Sequence, residues 1–132
     1  MSREDFNQKT ILVKDIMARA LISVNPVTTS FQIAKMMEQG GIGAIIVKEN
    51  ENPVGIVTDR DFATKIAANS LPFETPVGEI MSSPLITINA DSPISAAAEM
   101  MSSKKIRKLA VTENNRIVGI ITSTDLVNQL AK

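Results

Sequence analysis

The chain has 132 residues, 44% of them hydrophobic, with 14 basic and 14 acidic side chains and no formal net charge. That size suits one compact domain or two very small ones, and the charge balance argues against nucleic acid or a membrane surface as a general partner. The sequence has no Cys and no His, which removes disulfides, thiolate nucleophiles, the usual zinc sites and imidazole acid–base chemistry, and leaves the redox compartment open.

In chain order, residues 1–10 (MSREDFNQKT) are polar and read as a tail, with no signal peptide beginning there. No apolar run approaches the ~20 residues of a membrane-spanning helix. The expectation is a soluble, cytoplasmic protein with no membrane partner. LISVN at 21–25 is a short β-rich run. A helix is expected after residues 28–30, with Ile33, Ala34 and Met37 on its apolar face and Gly40 and Gly41 as its stop. Two β-rich runs follow, 43–48 and 53–58, joined by polar residues few enough for a hairpin. A further helix starts at Thr58 and runs toward NSLPFETP (69–76), whose two prolines mark a linker.

The same order then recurs. LITIN at 85–89 is β-rich, and Ser92 before Pro93 predicts an N-cap with proline at the first helical position. Ile94, Ala97, Ala98 and Met101 share one face of that helix. Runs 108–112 and 116–122 pair across a polar turn at 113–115, and a last helix starts at Thr122.

The recurrence is an internal repeat. Laying 13–68 on 77–132 at a shift of 64 needs no gap, and 19 of the 56 aligned pairs are identical. VKDIM meets VGEIM, LISVN meets LITIN, and GIVTDRD (55–61) meets GIITSTD (119–125). Each copy is a β-α-β-β-α unit too small to bury a stable core alone. The fold expected is therefore α+β: two pseudo-twofold-related units packed as one compact module, with the cleft between copies present in two related versions. The layout read from the sequence is a tail at 1–10, a first unit at 11–68, a linker at 69–76 and a second unit at 77–132.

A tandem repeat whose copies open with D/E-I-M and close with G-h-h-T-x-x-D, where h is apolar, resembles the CBS-domain family (cystathionine-β-synthase domains). Two copies in tandem resemble a Bateman module. The resemblance covers residues 11–132 and rests on order, spacing and both motif copies. It implies a regulatory module that binds adenosyl ligands (AMP, ADP, ATP, S-adenosylmethionine or NAD-type compounds) and requires no cofactor. It also implies a homodimer and a regulated partner protein that the sequence does not name.

Thr58 with Asp61, and Thr122 with Asp125, have the spacing of a helix capping box, which needs no ligand. The same geometry suits a sugar, because a carboxylate at a helix start can accept two hydrogen bonds from a cis-diol. By the resemblance, Asp61 and Asp125 are ribose ligands with Thr58 and Thr122 beside them, and both roles can hold at once. A phosphate is repelled by the carboxylate and is expected on hydroxyls, helix N–H groups and basic residues. KKIRK (104–108) supplies Arg107 and Lys108 in the second copy, where the resemblance places phosphate contacts, with Thr124 inside the motif. The first copy has Gly43 and Ala44 in place of those two cations and offers Arg60 instead. The competing reading of KKIRK is a solvated helix end. Gly55 and Gly119 permit close backbone approach, and Ile56 and Ile120 offer apolar walls for a purine. The resemblance adds Ala20, Ile22, Pro84 and Ile86 on the adenine side, with Ala44.

Three other classes compete with a ligand sensor. A ligand-free dimerisation or protein-interaction scaffold needs no filled site. An enzyme is not expected: Ser102-x-x-Lys105 matches a nucleophile pattern in letters only. Nucleic acid is not expected either, because KKIRK is the only basic patch and four Phe are the only aromatics.

Overall fold

The structure, a computed structural model, describes residues 10–19 and 21–132. Helix α1 (Val13–Ile16) and strand β1 (Ser23–Val24) precede α2 (Ser30–Gly40) and the hairpin β2 (Ala44–Glu49)–β3 (Asn52–Thr58). One turn of α3 (Asp59–Asp61) widens directly into a π-helical stretch, Phe62–Ala67, and a 3-10 turn follows at Val77–Glu79. The second half holds β4 (Thr87–Asn89), α4 (Ile94–Lys104), the hairpin β5 (Lys108–Glu113)–β6 (Arg116–Thr122) and α5 (Ser123–Leu130). The class is α+β, with two three-stranded sheets in the orders β1-β2-β3 and β4-β5-β6. Among the described residues, no helix is long and apolar enough to cross a membrane.

Each sheet joins one parallel pair to one hairpin. β1 runs parallel to β2 with Val24 opposite Val47, and β4 runs parallel to β5 with Ile88 opposite Val111. The hairpins place Ala44 opposite Thr58 and Lys108 opposite Thr122, each with a register shift two-thirds of the way along. Both turns use two residues of positive φ, Asn50 and Glu51 (50° and 70°) and Asn114 and Asn115 (54° and 62°). That left-handed pair matches the right-handed twist of the flanking strands, and among residues with a side chain asparagine is one that tolerates it. Ile45, Ile46 and Val47 are all buried, as are Leu109, Ala110 and Val111, so the middle strands are covered on both faces.

Helix α2 begins with a reciprocal cap. Thr29 Oγ1 accepts the Gln32 N–H at 3.2 Å, and Gln32 Oε1 accepts the Thr29 N–H at 3.0 Å. It ends on Gly41 in the left-handed region, φ 63°, as the glycine pair predicts. Thr29→Ala is expected to cost about 1 kcal/mol, read as a drop in the midpoint of urea unfolding at unchanged slope. Helix α4 departs from expectation. It starts at Ile94, and Pro93 is the N-cap residue, not the first helical residue, so Ser92 is no cap. Pro93 stands at the repeat position of Thr29 and has no side-chain acceptor. The face expected on each helix is also narrower: Ile33, Ala97 and Met101 are buried, whereas Ala34 and Ala98 are exposed.

The compact units differ in extent from the repeats. One unit joins described residues 10–19 to Thr87–Lys132, and the other is Leu21–Ile86. The opening segment of each repeat therefore lies against the body of the other repeat. Val77 and Ile80, from the second repeat, are fully buried in a core built from Ile33, Ile45, Val47, Val57 and Ile66 of the first. The Val77 N–H donates to Thr28 O at 2.8 Å and the Gly78 N–H to Pro26 O at 2.9 Å. In the other unit, the Val13 N–H donates to Ser92 O at 2.8 Å and the Lys14 N–H to Ala90 O at 3.0 Å, the same bonds shifted by 64.

This exchange also caps the helices, since the Ser30 N–H donates to Thr75 O and the Ile94 N–H to Ile11 O. The Ile11 carbonyl thus serves the helix start that Pro93 leaves without a side-chain acceptor. Lys14 Nζ donates to Asp91 Oδ1 at 2.8 Å, and this bond, with the Asp91 charge, raises the Lys14 pKa above its ordinary 10.5.

Candidate functional site

Both G-h-h-T-x-x-D motifs lie where a hairpin's second strand turns into a helix. Each glycine is where the exchanged segment comes closest. A Cβ on Gly55 would lie 2.7 Å from Met81 Sδ and 2.8 Å from Ser82 O, and one on Gly119 would lie 2.6 Å from Met17 Sδ and 2.7 Å from Ala18 O. The close approach expected at these glycines is made by the chain itself. One residue further, Ile56 and Ser82 exchange two backbone hydrogen bonds of 3.1 and 2.8 Å, and Ile120 and Ala18 exchange two of 2.9 Å.

In the unit Leu21–Ile86 the carboxylate of Asp61 is enclosed. Asp61 is 4% exposed. Its Oδ2 accepts the Thr58 N–H at 2.8 Å and the Thr58 hydroxyl at 3.3 Å. Its Oδ1 accepts the Ser82 hydroxyl at 3.2 Å and faces Lys65 Nζ at 3.0 Å. Lys65 lies within the π-helical stretch and also donates to Ile80 O at 2.8 Å and Met81 O at 3.3 Å. Side chains take main-chain carbonyls through this stretch, Thr64 from Arg60 and Asn69 from Lys65. Arg60 is exposed.

In the other unit the same motif is open. The Asp125 N–H donates to Thr122 Oγ1 at 3.2 Å, and Asp125 Oδ2 accepts the Thr122 N–H at 2.9 Å, a complete capping box. That N–H is the single donor to the Asp125 carboxylate among the described residues, and Asp125 is half-buried. The helix that follows is a regular α-helix, Ser123–Leu130. Lys108 stands opposite Thr122 in the hairpin, and the Arg107 carbonyl accepts the Ser123 N–H at 2.9 Å. Thr124 and Arg107 are exposed. Lys108 at the start of β5, Arg107 just before it and a half-open carboxylate on the helix thus share one end of one unit, while Ala44 occupies the position equivalent to Lys108 in the other.

The adenine-side positions divide between the two units. Ile22, Ala44, Ile56, Pro84 and Ile86 fall in Leu21–Ile86, whereas Ile120 falls in the other unit. Ile22 is 39% exposed and Ile120 only 6%. Ala44, Ile56 and Ile86 are half-buried, and Pro84 is exposed after a cis peptide bond. Ala20 lies outside the described residues.

Sequence reasoning missed Lys65 and Ser82. Lys65 follows Asp61 at the i, i+4 spacing of helical ion pairs, a weak signal. Ser82 is 21 residues from Asp61 and meets it only through the exchanged segment. Among the described residues, no group of three or more Asp and Glu side chains is placed to hold a metal ion.

The CBS domain profile matches residues 13–68 and 77–132, most of the chain and both repeats. The chain belongs to the CBS-domain family. The CBS domain-containing protein YhcV of Bacillus subtilis is 37% identical over 120 residues, which cover 90% of this chain and 86% of YhcV. A protein of Methanopyrus kandleri is 34% identical over 122 residues; the match covers 90% of this chain but 62% of that longer protein. Among solved CBS structures, the CBS domain pair of protein MJ0100, in complex with 5′-methylthioadenosine and S-adenosyl-L-methionine, superposes with a TM-score of 0.83. It is 29% identical, and the match covers 93% of this chain and 98% of that one.

Proposed function

We propose that this CBS pair is a regulatory module, not an enzyme, that binds an adenosyl compound (AMP, ADP, ATP, S-adenosylmethionine or an NAD-type ligand) and passes its occupancy to a partner protein. The observation that carries this reading is the Asp125 carboxylate, held at the start of α5 with acceptor capacity to spare, beside Arg107 and Lys108. In this reading Asp125 and Thr122 hold the ribose, and Arg107, Lys108 and Thr124 meet a phosphate or carboxylate of the ligand. The complex of MJ0100 with two adenosyl compounds supports the ligand class. The homodimer, the regulated partner and a cytoplasmic location belong to the same proposal.

A second reading, a protein-interaction scaffold, is favoured by one feature. Phe31 and Phe73 are 56% and 67% exposed, and the Phe31 N–H donates to Phe73 O, so two exposed rings start from adjoining backbone. Isothermal titration separates the two readings. The sensor is expected to give saturable heat with at least one of AMP, ATP, S-adenosylmethionine and NAD, weakened in Asp125→Ala. No heat with any of them, together with a concentration-dependent dimer by sedimentation, selects the scaffold.

A further inference from the structure

The two repeats carry the same Thr and Asp, yet their carboxylates are in opposite states. An ionised carboxylate has about four lone-pair sites. On Asp61 all four are used: the Thr58 N–H and hydroxyl on Oδ2, the Ser82 hydroxyl and the Lys65 ammonium on Oδ1. Lys65 is saturated as well, since its three donors go to Asp61, Ile80 O and Met81 O. On Asp125 the described residues use one site. The side chains that make the difference stand at matching repeat positions. Shifting by 64, Lys65 becomes Gln129 and Ser82 becomes Ala18. Neither Gln129 nor Ala18 donates to Asp125.

From this we infer that Lys65 and Ser82 form a built-in latch that takes the place of a ligand diol on Asp61, so that the chain holds one adenosyl ligand, on Asp125. The inference rests on the sensor reading and adds which repeat is used and what silences the other. A diol arriving at Asp61 must displace an ammonium and a hydroxyl from a carboxylate that is 4% exposed, and it must leave that ammonium without its counter-charge. At Asp125 it meets unused acceptor sites and pays no such cost. The latch also ties the π-helical stretch to the exchanged segment through Ile80 O and Met81 O.

The test is calorimetric stoichiometry with AMP, ATP and S-adenosylmethionine on the full chain. Wild type is expected to take one equivalent per chain, and Asp125→Asn to weaken it at least about tenfold, the loss of one charged acceptor. The double exchange Lys65→Gln with Ser82→Ala gives the unit Leu21–Ile86 the side chains that the other unit carries at the matching positions, and is expected to add a second equivalent. Its folding is checked by circular dichroism. The converse exchange, Gln129→Lys with Ala18→Ser, leaves Asp61 untouched and is expected to abolish the wild-type equivalent, so the proposal does not depend on the first variant folding. Two equivalents in wild type, a folded first exchange that stays at one equivalent, or a second exchange that binds normally each overturn the latch while the sensor reading stands, and full binding by Asp125→Asn overturns the Asp125 site on which both rest. No heat with any ligand overturns the sensor reading and the latch with it.

Discussion

Gly119→Ala is expected to destabilise the protein by about 3 kcal/mol, lowering the melting temperature by about 10 °C. The added methyl would lie 2.6 Å from Met17 Sδ and 2.7 Å from Ala18 O. A thioether can turn aside. The Ala18 carbonyl cannot, because it accepts the Ile120 N–H at 2.9 Å and the Ala18 N–H returns the bond. Relief therefore requires pushing residues 17–18 off the strand, with loss of both hydrogen bonds and of the Met17 packing. Gly55→Ala meets the same obstacle in Ser82 O at 2.8 Å and should cost a similar amount. Scanning calorimetry reads both variants without an optical probe, which suits a chain with no Trp or Tyr. A loss under about 1 kcal/mol in both would mean that the exchanged segments are loosely held.

The second large effect is an inequality. Asp61→Ala is expected to cost about 2–3 kcal/mol and Asp125→Ala about 1, although the two residues occupy the same place in the same motif. Removing Asp61 strips the Thr58 N–H of its acceptor, leaves the Ser82 hydroxyl without its partner and opens space under a buried site. Lys65 loses its counter-charge but is 37% exposed, so it keeps its two carbonyls and gains water, which holds the cost below that of breaking a fully buried pair. Removing Asp125 takes away one capping bond at a half-buried helix start. Equal losses, measured by urea unfolding at matched slopes, would show that the crowded carboxylate contributes no more than the open one.

Much of this architecture was legible from pattern. The repeat, both hairpins, the glycine stop at Gly41 and the capping box at Thr122 follow from local sequence, because each depends on pattern or on residues within a few positions of one another. What was not legible depends on long-range choice. A repeat shows that two segments are alike, but not which body each one packs against. VKDIM and VGEIM fit either sheet by pattern, and the exchange is revealed by Val77 and Ile80 inside the first repeat's core and by the bonds of Val13 and Lys14 to Ser92 and Ala90. The Pro93 start failed for the same reason, since its helix is capped by Ile11 from far upstream. At the site, the Thr and Asp positions were visible as a motif. The state of each carboxylate was not, because it is set by Lys65 across a widened helical turn and by Ser82 across the exchange.

The exchanged openings also set an order of events on the ribosome. Leu21–Ile86 is one unbroken stretch, so every residue of that core exists once Ile86 has left the exit tunnel. The other unit must hold residues 10–19 in waiting until Thr87–Lys132 has been made. At about 5–20 residues per second those last 46 residues take a few seconds, during which Val13 and Met17, buried in the finished protein, have no surface to cover them. The hazard lies in the wait: a second nascent chain nearby offers the same strand and the same glycine, and can capture the opening segment in place of its own.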